Sequence, residues 1–281
     1  MNNSCTLGII AGKGNLPKQL IEHCRKTGRN FFVITFAEDF DNEEMTEIPH
    51  AVIKIGEVGK ALELLREAKA TEIVMVGGLK RPTLSSLIPD DGGKKLLKKL
   101  GQNFFKGDDT ILKTIINFLE EENFKVIGID SILPDIIAIE GVIGKISPNK
   151  KELDDIKIGM KAAKELGAKD IGQAVIIKNG KIVAEETEAG TDAMISHYTE
   201  NNTNNKNNRG KKSGLLIKAK KPEQEQKADL PSIGINTVEK AHSAGLSGIA
   251  VEAGYSIIID RKEAIKKAND YGIFIIGVNY E

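Results

Sequence analysis

Residues 6–17, TLGIIAGKGNLP, decide the fold because they join a short apolar run to a glycine-rich turn and a helix start. The run from Thr6 to Ile10 predicts a buried strand, since it is short, apolar and bounded by turn residues. Apolar side chains then recur at helical spacing from Leu16 to Lys26, with Pro17 in the first turn, where proline is tolerated. A strand, a turn and a helix form the first half of a βαβ unit.

The same alternation continues to about residue 130. Gly28 ends the first predicted helix, and the later apolar runs are rich in β-branched and aromatic residues. Strands that alternate with helices pair in parallel, so the sequence predicts an α/β fold whose N-terminal domain, residues 1–132, is a Rossmann-like parallel sheet. The predicted strands lie at 30–36, 51–55, 72–76 and 125–129, and the clearest helices at 94–100 and 109–121.

The second half predicts a distinct C-terminal α/β domain, residues 133–281. A helix over 153–166 precedes two strands joined at Asn179-Gly180, a strong signal for a type I′ hairpin. Residues 201–213 are rich in Asn and Lys without periodicity, so we expect a mobile loop there. The remaining predicted strands lie at 215–219, 232–235, 248–252, 255–259 and 273–278, with helices at 238–244 and 261–270.

The charge balance limits the class of partner. The 281 residues contain 40 Lys and Arg against 40 Asp and Glu. A nucleic-acid-binding protein normally carries a basic surplus, so we expect no nucleic-acid partner. We find no secretory signal and no stretch long enough to span a bilayer, and the two cysteines lack metal-ligand spacing. These features predict a cytoplasmic protein and leave room for a homo-oligomer.

Two predicted strand ends carry glycines and cations suited to phosphate. In Gly12-Lys13-Gly14 the backbone amides and the following helix N-terminus could hold an anion, although a tight turn explains the glycines equally well. After the fourth strand, Gly77-Gly78 permits close backbone approach, and Lys80 and Arg81 could neutralise a pyrophosphate; two solvated cations are the alternative. Ligands bind at such strand ends in open α/β sheets, so the pair favours a ligand cleft.

Acidic residues cluster at three further places. In Lys106-Gly107-Asp108-Asp109 we expect one aspartate to cap the following helix and the other to be available to Mg²⁺ or a ligand hydroxyl. Residues 188–194 read EAGTDAM, and Asp229 precedes Leu230-Pro231. Acids at both places could bind Mg²⁺ beside a diphosphate, whereas helix capping and an Asx-turn are the structural alternatives.

Taken in order along the chain, these segments resemble the LpxI family. Each motif is short, but together they follow the family order over nearly the whole chain. Residues 201–213 depart from the family pattern and contain none of the motifs. The stretches that carry the resemblance are LGIIAGKGNLP (7–17), GEVGK (56–60), KGDD (106–109), GKISP (144–148), DIGQ (170–173), EAGTDAM (188–194), KAKKP (218–222), DLPSIG (229–234) and GIAVEAG (248–254).

The resemblance implies hydrolysis of UDP-2,3-diacylglucosamine to 2,3-diacylglucosamine 1-phosphate and UMP, with Mg²⁺, in lipid A biosynthesis. It places the family's critical aspartate at Asp229, which we expect to hold Mg²⁺ or its bound water. Asp192 and Glu188 are then catalytic candidates that support the metal or the water. The resemblance also implies that the C-terminal domain, residues 133–281, is catalytic. Together with the residue patterns above, it makes the following our substrate-binding candidates: Gly12, Lys13, Gly14, Gly77, Gly78, Lys80, Arg81, Gly107, Asp108, Asp109, Lys145, Gly172, Gln173, Gly190, Thr191 and Lys218.

A diacylated substrate resides in a membrane, so the resemblance also implies peripheral contact with the cytoplasmic face of the inner membrane. The predicted helix at 94–100, KKLLKKL, is basic and amphipathic. It is our candidate for that contact, with a solvated face as the alternative.

Two other functions stay open from the residues alone. Glu38 or Asp39 could bind a dinucleotide ribose in an oxidoreductase, although Pro17 stands where the dinucleotide pattern needs a glycine. A non-catalytic module that binds a nucleotide or a lipid would keep the same fold.

Overall fold

The computed structural model describes residues 5–36, 47–79, 81–203 and 212–280. The chain divides into two units. Unit 1 contains the residues up to Pro134 together with Glu225–Asp229, and unit 2 contains Asp135–Gln224 and the residues from Leu230 onward. A linear division at residue 132 assigns Glu225–Asp229 to the C-terminal domain by position, whereas in the structure this segment groups with unit 1.

Unit 1 is built on a five-stranded sheet with strand order β3-β2-β1-β4-β5, and all of its pairs are parallel. The strands are β1 (Thr6–Ala11), β2 (Phe31–Phe36), β3 (His50–Ile53), β4 (Ala70–Val76) and β5 (Lys125–Val126). The helices are α1 (Leu16–Thr27), α2 (Val58–Glu67), α3 (Asp91–Leu100) and α4 (Asp108–Glu121). The Rossmann-like prediction is confirmed, and the order reverses between β1 and β4, the switch point where such sheets bind ligands.

The apolar runs of unit 1 form these strands because both faces of the sheet are covered. Leu7 and Ile9 in β1 have no exposed surface, and Ile73 in β4 packs with Leu65 of α2 in the same core. Gly28 ends α1 in the left-handed conformation, at φ 67°. Parallel strands buried on both faces read as continuous apolar runs rather than as alternating ones.

Unit 2 is built on a six-stranded mixed sheet with strand order β6-β13-β11-β9-β7-β8 and a two-stranded sheet of β10 and β12. Its strands are β6 (Gly141–Val142), β7 (Ala174–Lys178), β8 (Lys181–Glu185), β9 (Leu215–Lys218), β10 (Ser232–Ile233), β11 (Gly248–Glu252), β12 (Ile257–Ile258) and β13 (Phe274–Val278). Its helices are α5 (Lys150–Ala168), α6 (Thr191–Thr203), α7 (Ile235–Ser243) and α8 (Arg261–Asp270). Helix α5 shares one hydrophobic core with the sheet, and α6, α7 and α8 share another.

Two local predictions in unit 2 have opposite outcomes. Asn179 and Gly180 both have positive φ, 51° and 73°, as a type I′ turn between β7 and β8 requires. The predicted loop at 201–213 begins too early, because α6 extends to Thr203. Residues 204–211 lie outside the described residues.

The direction of the strands brings several loops of unit 2 to one edge of the sheet. Strands β9, β11 and β13 are parallel, so their carboxyl ends lie on the same edge. Strand β7 is antiparallel to both β8 and β9. The amino end of β7 and the carboxyl end of β8 therefore lie there as well. We call this side of the sheet the carboxyl edge.

Candidate active site

The loops that follow β1 and β4 bind each other at the switch point of unit 1. Lys13 N–H donates to Gly78 O at 2.8 Å, and Gly78 N–H donates to Lys13 O at 2.9 Å. Gly12 N–H donates to Val76 O at 2.8 Å. These three amides bond to backbone carbonyls, which supports the tight-turn interpretation of the first glycine motif.

Close approach of the two loops explains two of their glycines. A Cβ on Gly12 would lie 2.5 Å from Gly78 O, and a Cβ on Gly77 would lie 2.7 Å from Lys13 O. Gly77 also has φ +87°, a conformation that L-residues with a Cβ rarely adopt. A Cβ on Gly78, by contrast, would have nothing within 4 Å. Steric demands of the loop pairing therefore account for part of the pattern that predicted a phosphate site.

Arg81 joins the loop after β4 to the segment before α4. Its Nη2 donates to the carbonyl oxygens of Phe104 and Lys106, the latter at 3.0 Å. Its Cζ lies 5.6 Å from the centroid of the Phe104 ring, and its Nη1 lies 3.5 Å from Asp108 Oδ1. The structure thus brings two predicted substrate-binding residues, Arg81 and Asp108, together in unit 1. Lys80 lies outside the described residues.

Neither Asp108 nor Asp109 caps α4, so the expectation of an aspartate cap is wrong. The N-cap is Gly107, and both aspartates occupy the first turn, where the helix dipole favours negative charge. Asp109 Oδ1 instead accepts a hydrogen bond from Glu225 N–H at 2.5 Å. The side chain of Asp108 is 78% exposed.

The segment Glu225–Asp229 is held to unit 1 by further contacts. Lys227 Nζ lies 2.7 Å from Glu120 Oε1, and Ala228 packs against the unit 1 core. Asp229 N–H donates to Glu225 O at 2.9 Å, and the residue is partly exposed. The predicted metal ligand therefore belongs to the same unit as Arg81 and Asp108.

Asp90, which sequence reasoning missed, binds the backbone of the motif at residues 56–60. Its carboxylate accepts hydrogen bonds from Gly59 N–H and Lys60 N–H at the start of α2, both at 3.0 Å, and from Gly93 N–H in α3 at 2.7 Å. Burial alone would raise the pKa of Asp90, but the amide hydrogen bonds outweigh it and hold the pKa below its ordinary value. One carboxylate thus satisfies the N-termini of two helices.

The carboxyl edge of unit 2 collects buried polar side chains. Of the six buried polar or charged residues among those described, five belong to this unit. Glu186, Lys218 and Glu252 are ionisable, are 6%, 8% and 4% exposed, and lie at the carboxyl ends of β8, β9 and β11. Burying charge costs free energy unless the charge is paired and hydrogen-bonded. We therefore take this edge as the candidate active-site region of unit 2.

Glu186 links two predicted substrate-binding residues. Its Oε2 accepts from Gln173 N–H at 2.7 Å, and its Oε1 accepts from Thr191 Oγ1 at 2.6 Å. A Cβ on Gly172 would lie 2.8 Å from the Cβ of Glu186, so the close approach needs a glycine. Gln173 Oε1 is buried without a hydrogen-bond partner among the described residues, which leaves an acceptor for a ligand or water.

Sequence reasoning missed Glu186, and the alternation of exposure along β8 in the structure explains its burial. Ile182, Ala184 and Glu186 are each less exposed than the residues that alternate with them. A period of two along β8 therefore places Glu186 on the covered side of the strand.

Two lysines at the carboxyl edge have partners in unit 2. Lys218 Nζ donates to Ser232 O at 3.1 Å. Lys164 Nζ, on α5, lies 2.6 Å from Glu252 Oε1, and Glu252 Oε2 accepts from Lys220 N–H at 2.8 Å. Lys218 was predicted from the sequence, whereas Lys164 and Glu252 were not.

The other acidic candidates of unit 2 lie near the start of α6. Gly190, with φ +87°, precedes this helix, and Asp192 stands in its first turn. Asp192 Oδ2 lies 2.6 Å from Lys240 Nζ, and Glu188 is exposed.

Lys145 lies away from the carboxyl edge. It follows β6, whose Val142 pairs antiparallel with Ile276, so the chain continues toward the amino end of β13. There Lys145 N–H donates to Asn269 Oδ1 at 2.8 Å. The structure therefore does not bring Lys145 together with Gln173 and Lys218.

The acidic residues limit the kind of metal site. Within 5–36, 47–79, 81–203 and 212–280, no group of three or more His, Cys, Asp or Glu side chains is arranged to hold a metal ion. Mg²⁺ does not need such a group, because it commonly binds one or two carboxylates and keeps waters beside substrate phosphates. Asp229, a partly exposed residue, carries a carboxylate of that type. A single carboxylate is compatible with an ion held mainly by a diphosphate.

No helix in the described part of the chain combines the length and the apolar character that crossing a bilayer requires.

Comparison with known proteins covers both units. The family model for the LpxI N-terminal domain matches residues 6–136, and the model for the LpxI C-terminal domain matches residues 139–276. A Caulobacter vibrioides protein named UDP-2,3-diacylglucosamine pyrophosphatase LpxI is 36% identical over 273 residues, which cover 97% of each chain. Among solved structures, N5-carboxyaminoimidazole synthetase from Staphylococcus aureus is 17% identical and covers 67% of this chain and 42% of that chain; its TM-score of 0.22 supports no argument.

Proposed function

The chain belongs to the LpxI family, and from that membership we propose that it hydrolyses the diphosphate of UDP-2,3-diacylglucosamine to give 2,3-diacylglucosamine 1-phosphate and UMP. The observation that carries the proposal is the 36% identity, over 97% of both chains, with a protein named for this activity.

The reaction makes two physical demands on the protein. The anionic oxygens of a diphosphate repel an attacking water, so the site must neutralise charge and orient that water. In unit 1, Arg81 is a cation suited to phosphate oxygens, because a guanidinium presents several donors in a fixed plane. In unit 2, the buried ammonium of Lys218 supplies positive charge, and Gln173 Oε1 can accept a hydrogen bond from a substrate hydroxyl or amide.

We also propose that Mg²⁺ takes part, with Asp229 as its protein ligand. Bound Mg²⁺ neutralises diphosphate charge and lowers the barrier to attack at phosphorus. In this proposal Asp229 supplies the anionic oxygen, and support comes from the contacts of Glu225 and Lys227 with Asp109 and Glu120, which hold the segment to unit 1. Asp192 and Glu188 remain our candidates for support of the metal or the water.

The test is release of UMP from UDP-2,3-diacylglucosamine dispersed in detergent, with and without Mg²⁺. We expect release that requires Mg²⁺ and stops when a chelator is added. Asp229→Ala and Asp229→Asn should both abolish release, since neither side chain carries the charge that Mg²⁺ prefers. Thermal unfolding of both variants should match the unchanged protein.

Three results would contradict parts of this proposal. A folded protein that releases no UMP in the presence of Mg²⁺ lacks the activity. Equal release with and without chelator removes the metal, and normal turnover by a stable Asp229→Ala protein removes Asp229. A saturable change of NADH fluorescence in a titration, without UMP release, would favour the dinucleotide-binding alternative.

We propose peripheral membrane contact through α3 and its flanks. Ile88 before this helix and Phe105 after it are each 75% exposed, which is unusual for large apolar side chains. The helix lysines are less available than the sequence suggested, because Lys94, Lys95 and Lys99 pair with Asp91, Glu122 and Glu121. Apolar insertion is therefore expected to contribute more than charge.

Vesicle binding tests the two contributions separately. Replacing Ile88 and Phe105 by Ser should weaken binding to vesicles that contain phosphatidylglycerol. Reversing charge at Lys98 and Lys99 should weaken it less. If both double variants bind vesicles as the unchanged protein does, α3 and its flanks are not the contact.

A further inference from the structure

Glu252 is a buried carboxylate to which the proposed chemistry assigns no role. It is the last residue of β11 and is 4% exposed. Its Oε1 lies 2.6 Å from Lys164 Nζ, and its Oε2 accepts from Lys220 N–H at 2.8 Å. Both oxygens are thus directed, one at a cation on α5 and one at the backbone that follows β9.

The backbone that Glu252 holds is the segment Lys218–Lys221. Ala219 N–H in this segment donates to Gln173 O at 3.0 Å, and Lys220 Nζ lies 4.9 Å from the centroid of the Tyr255 ring. Glu252 therefore anchors a short piece of chain that begins with Lys218, the buried lysine proposed to face phosphate.

Stability alone is a weak reason for this arrangement. A buried ion pair often contributes no more to folding than apolar side chains of the same size, because both charges lose their hydration. A charged acceptor does, however, make a shorter and stronger hydrogen bond to an amide than a neutral one does. The Glu252–Lys164 pair is therefore suited to fixing the position of Lys220 N–H.

We infer that Glu252 is a positioning residue for substrate binding, acting through the Lys220 amide to place Lys218 against the diphosphate. This inference rests on the proposed function. Glu252 touches no reacting atom in it; its effect is carried entirely by the segment Lys218–Lys221.

Two double variants that differ by one acceptor test the inference. Glu252→Gln with Lys164→Met removes both charges but keeps an oxygen that can accept from Lys220 N–H. Glu252→Leu with Lys164→Met removes both charges and the acceptor, at similar volume. We expect the first to keep KM within about threefold of the unchanged protein and the second to raise KM by about tenfold or more, as loss of a supporting residue commonly does.

The division between KM and kcat separates positioning from folding. A stability defect lowers the amount of active protein, and so the apparent kcat, while KM stays the same. Equal KM values in the two double variants, or a lower kcat at unchanged KM in the Leu variant, would overturn the role of Glu252.

A readout that needs no turnover separates this inference from the proposed function. Hydrogen exchange at the Lys220 amide should be faster in the Leu variant than in the Gln variant, because only the Gln variant keeps the acceptor. If the unchanged protein releases no UMP, the function fails whatever the exchange shows. If UMP is released and exchange is equal in the two variants, the positioning role fails by itself.

Discussion

At the switch point of unit 1 the loops after β1 and β4 approach so closely that backbone bonds to backbone, whereas at the carboxyl edge of unit 2 the carboxylates of Glu186 and Glu252 lie between the loops they join. The first arrangement depends on the absence of side chains, and the second on side chains that carry buried charge. The two regions should therefore be sensitive to different substitutions. Added side-chain volume should destabilise unit 1, and loss of a hydrogen-bond acceptor should destabilise unit 2.

The largest effect on stability is expected from Gly77→Ala in unit 1. The new Cβ would lie 2.7 Å from Lys13 O, and φ +87° is unfavourable for alanine. Overpacking and backbone strain together should lower the free energy of unfolding by about 3 kcal/mol. Urea denaturation followed by circular dichroism measures this.

The neighbouring Gly78→Ala is the matched control. A Cβ there would have nothing within 4 Å. We expect a change of less than about 1 kcal/mol. If the two alanine variants are equally stable, close approach is not what holds these loops.

The next largest effect is expected from Glu186→Leu in unit 2. The substitution keeps the volume but leaves Gln173 N–H and the Thr191 hydroxyl without their acceptors. Leaving a buried donor unpaired should cost about 2 kcal/mol in the free energy of unfolding, again measured in urea.

Glu185→Leu, one residue earlier and exposed, controls for this change. It should shift stability by less than about 0.5 kcal/mol. Equal losses at both positions would mean that the carboxylate of Glu186 does not hold the carboxyl edge together.

The contrast between the edges also explains what the sequence could predict. Alternating apolar runs and helices predict the parallel sheet of unit 1, and Asn179-Gly180 predicts its own hairpin, because both signals are local in the chain. The contact between Glu225 and Asp109 joins residues 116 positions apart, so no local pattern assigns Glu225–Asp229 to unit 1.

The candidate site was predictable only in part for the same reason. Thr191, Gln173 and Lys218 stand in motifs that suggested a ligand site. Glu252 also stands in a motif, at 248–254, but suggested no role there because its partner Lys164 lies in none of the motifs. An acidic residue in a sequence is expected at the surface, and burial of Glu252 depends on a lysine 88 positions away. The end of α6 was missed because Asn-rich composition predicts a loop, although the helix continues through 201–203.

Asp90 combines features of the two regions. It lies in unit 1, but its carboxylate joins two backbone segments, as the carboxylates of Glu186 and Glu252 do in unit 2. Asp90→Ala removes the acceptor for amides of both α2 and α3, so we expect the free energy of unfolding to fall by about 1.5 kcal/mol at neutral pH. In the folded protein the pKa of Asp90 lies below its ordinary value. The stabilisation by Asp90 is therefore fully present above the ordinary pKa and is lost as the pH falls through the folded pKa. The difference from the unchanged protein should therefore shrink below about pH 4.

Urea denaturation at a series of pH values checks this prediction, with Asp91→Ala as the control. Asp91 lies in the first turn of α3, directly after Asp90, and its side chain is 98% exposed. Its removal should cost less than about 0.5 kcal/mol. A loss at Asp90 that stays constant as the pH falls would mean that ionisation of this carboxylate is not what stabilises the two helix starts.

The smallest effect is expected from Arg81→Lys. This substitution tests whether a side chain that joins two loops must be buried to contribute to stability. Arg81 connects two loops of unit 1 as Glu252 does in unit 2, but its side chain is 40% exposed. Lysine keeps the charge and loses the planar contact with Phe104 and the reach to two carbonyls. Because water competes for each of these interactions, we expect the free energy of unfolding to fall by about 0.5 kcal/mol in urea denaturation. Added salt should not change this loss, because lysine keeps the positive charge. A loss of about 2 kcal/mol or more would mean that exposed links hold loops as firmly as buried ones, since only well-shielded charged hydrogen bonds normally contribute that much. The distinction between the two edges would then lie in geometry alone and not in burial.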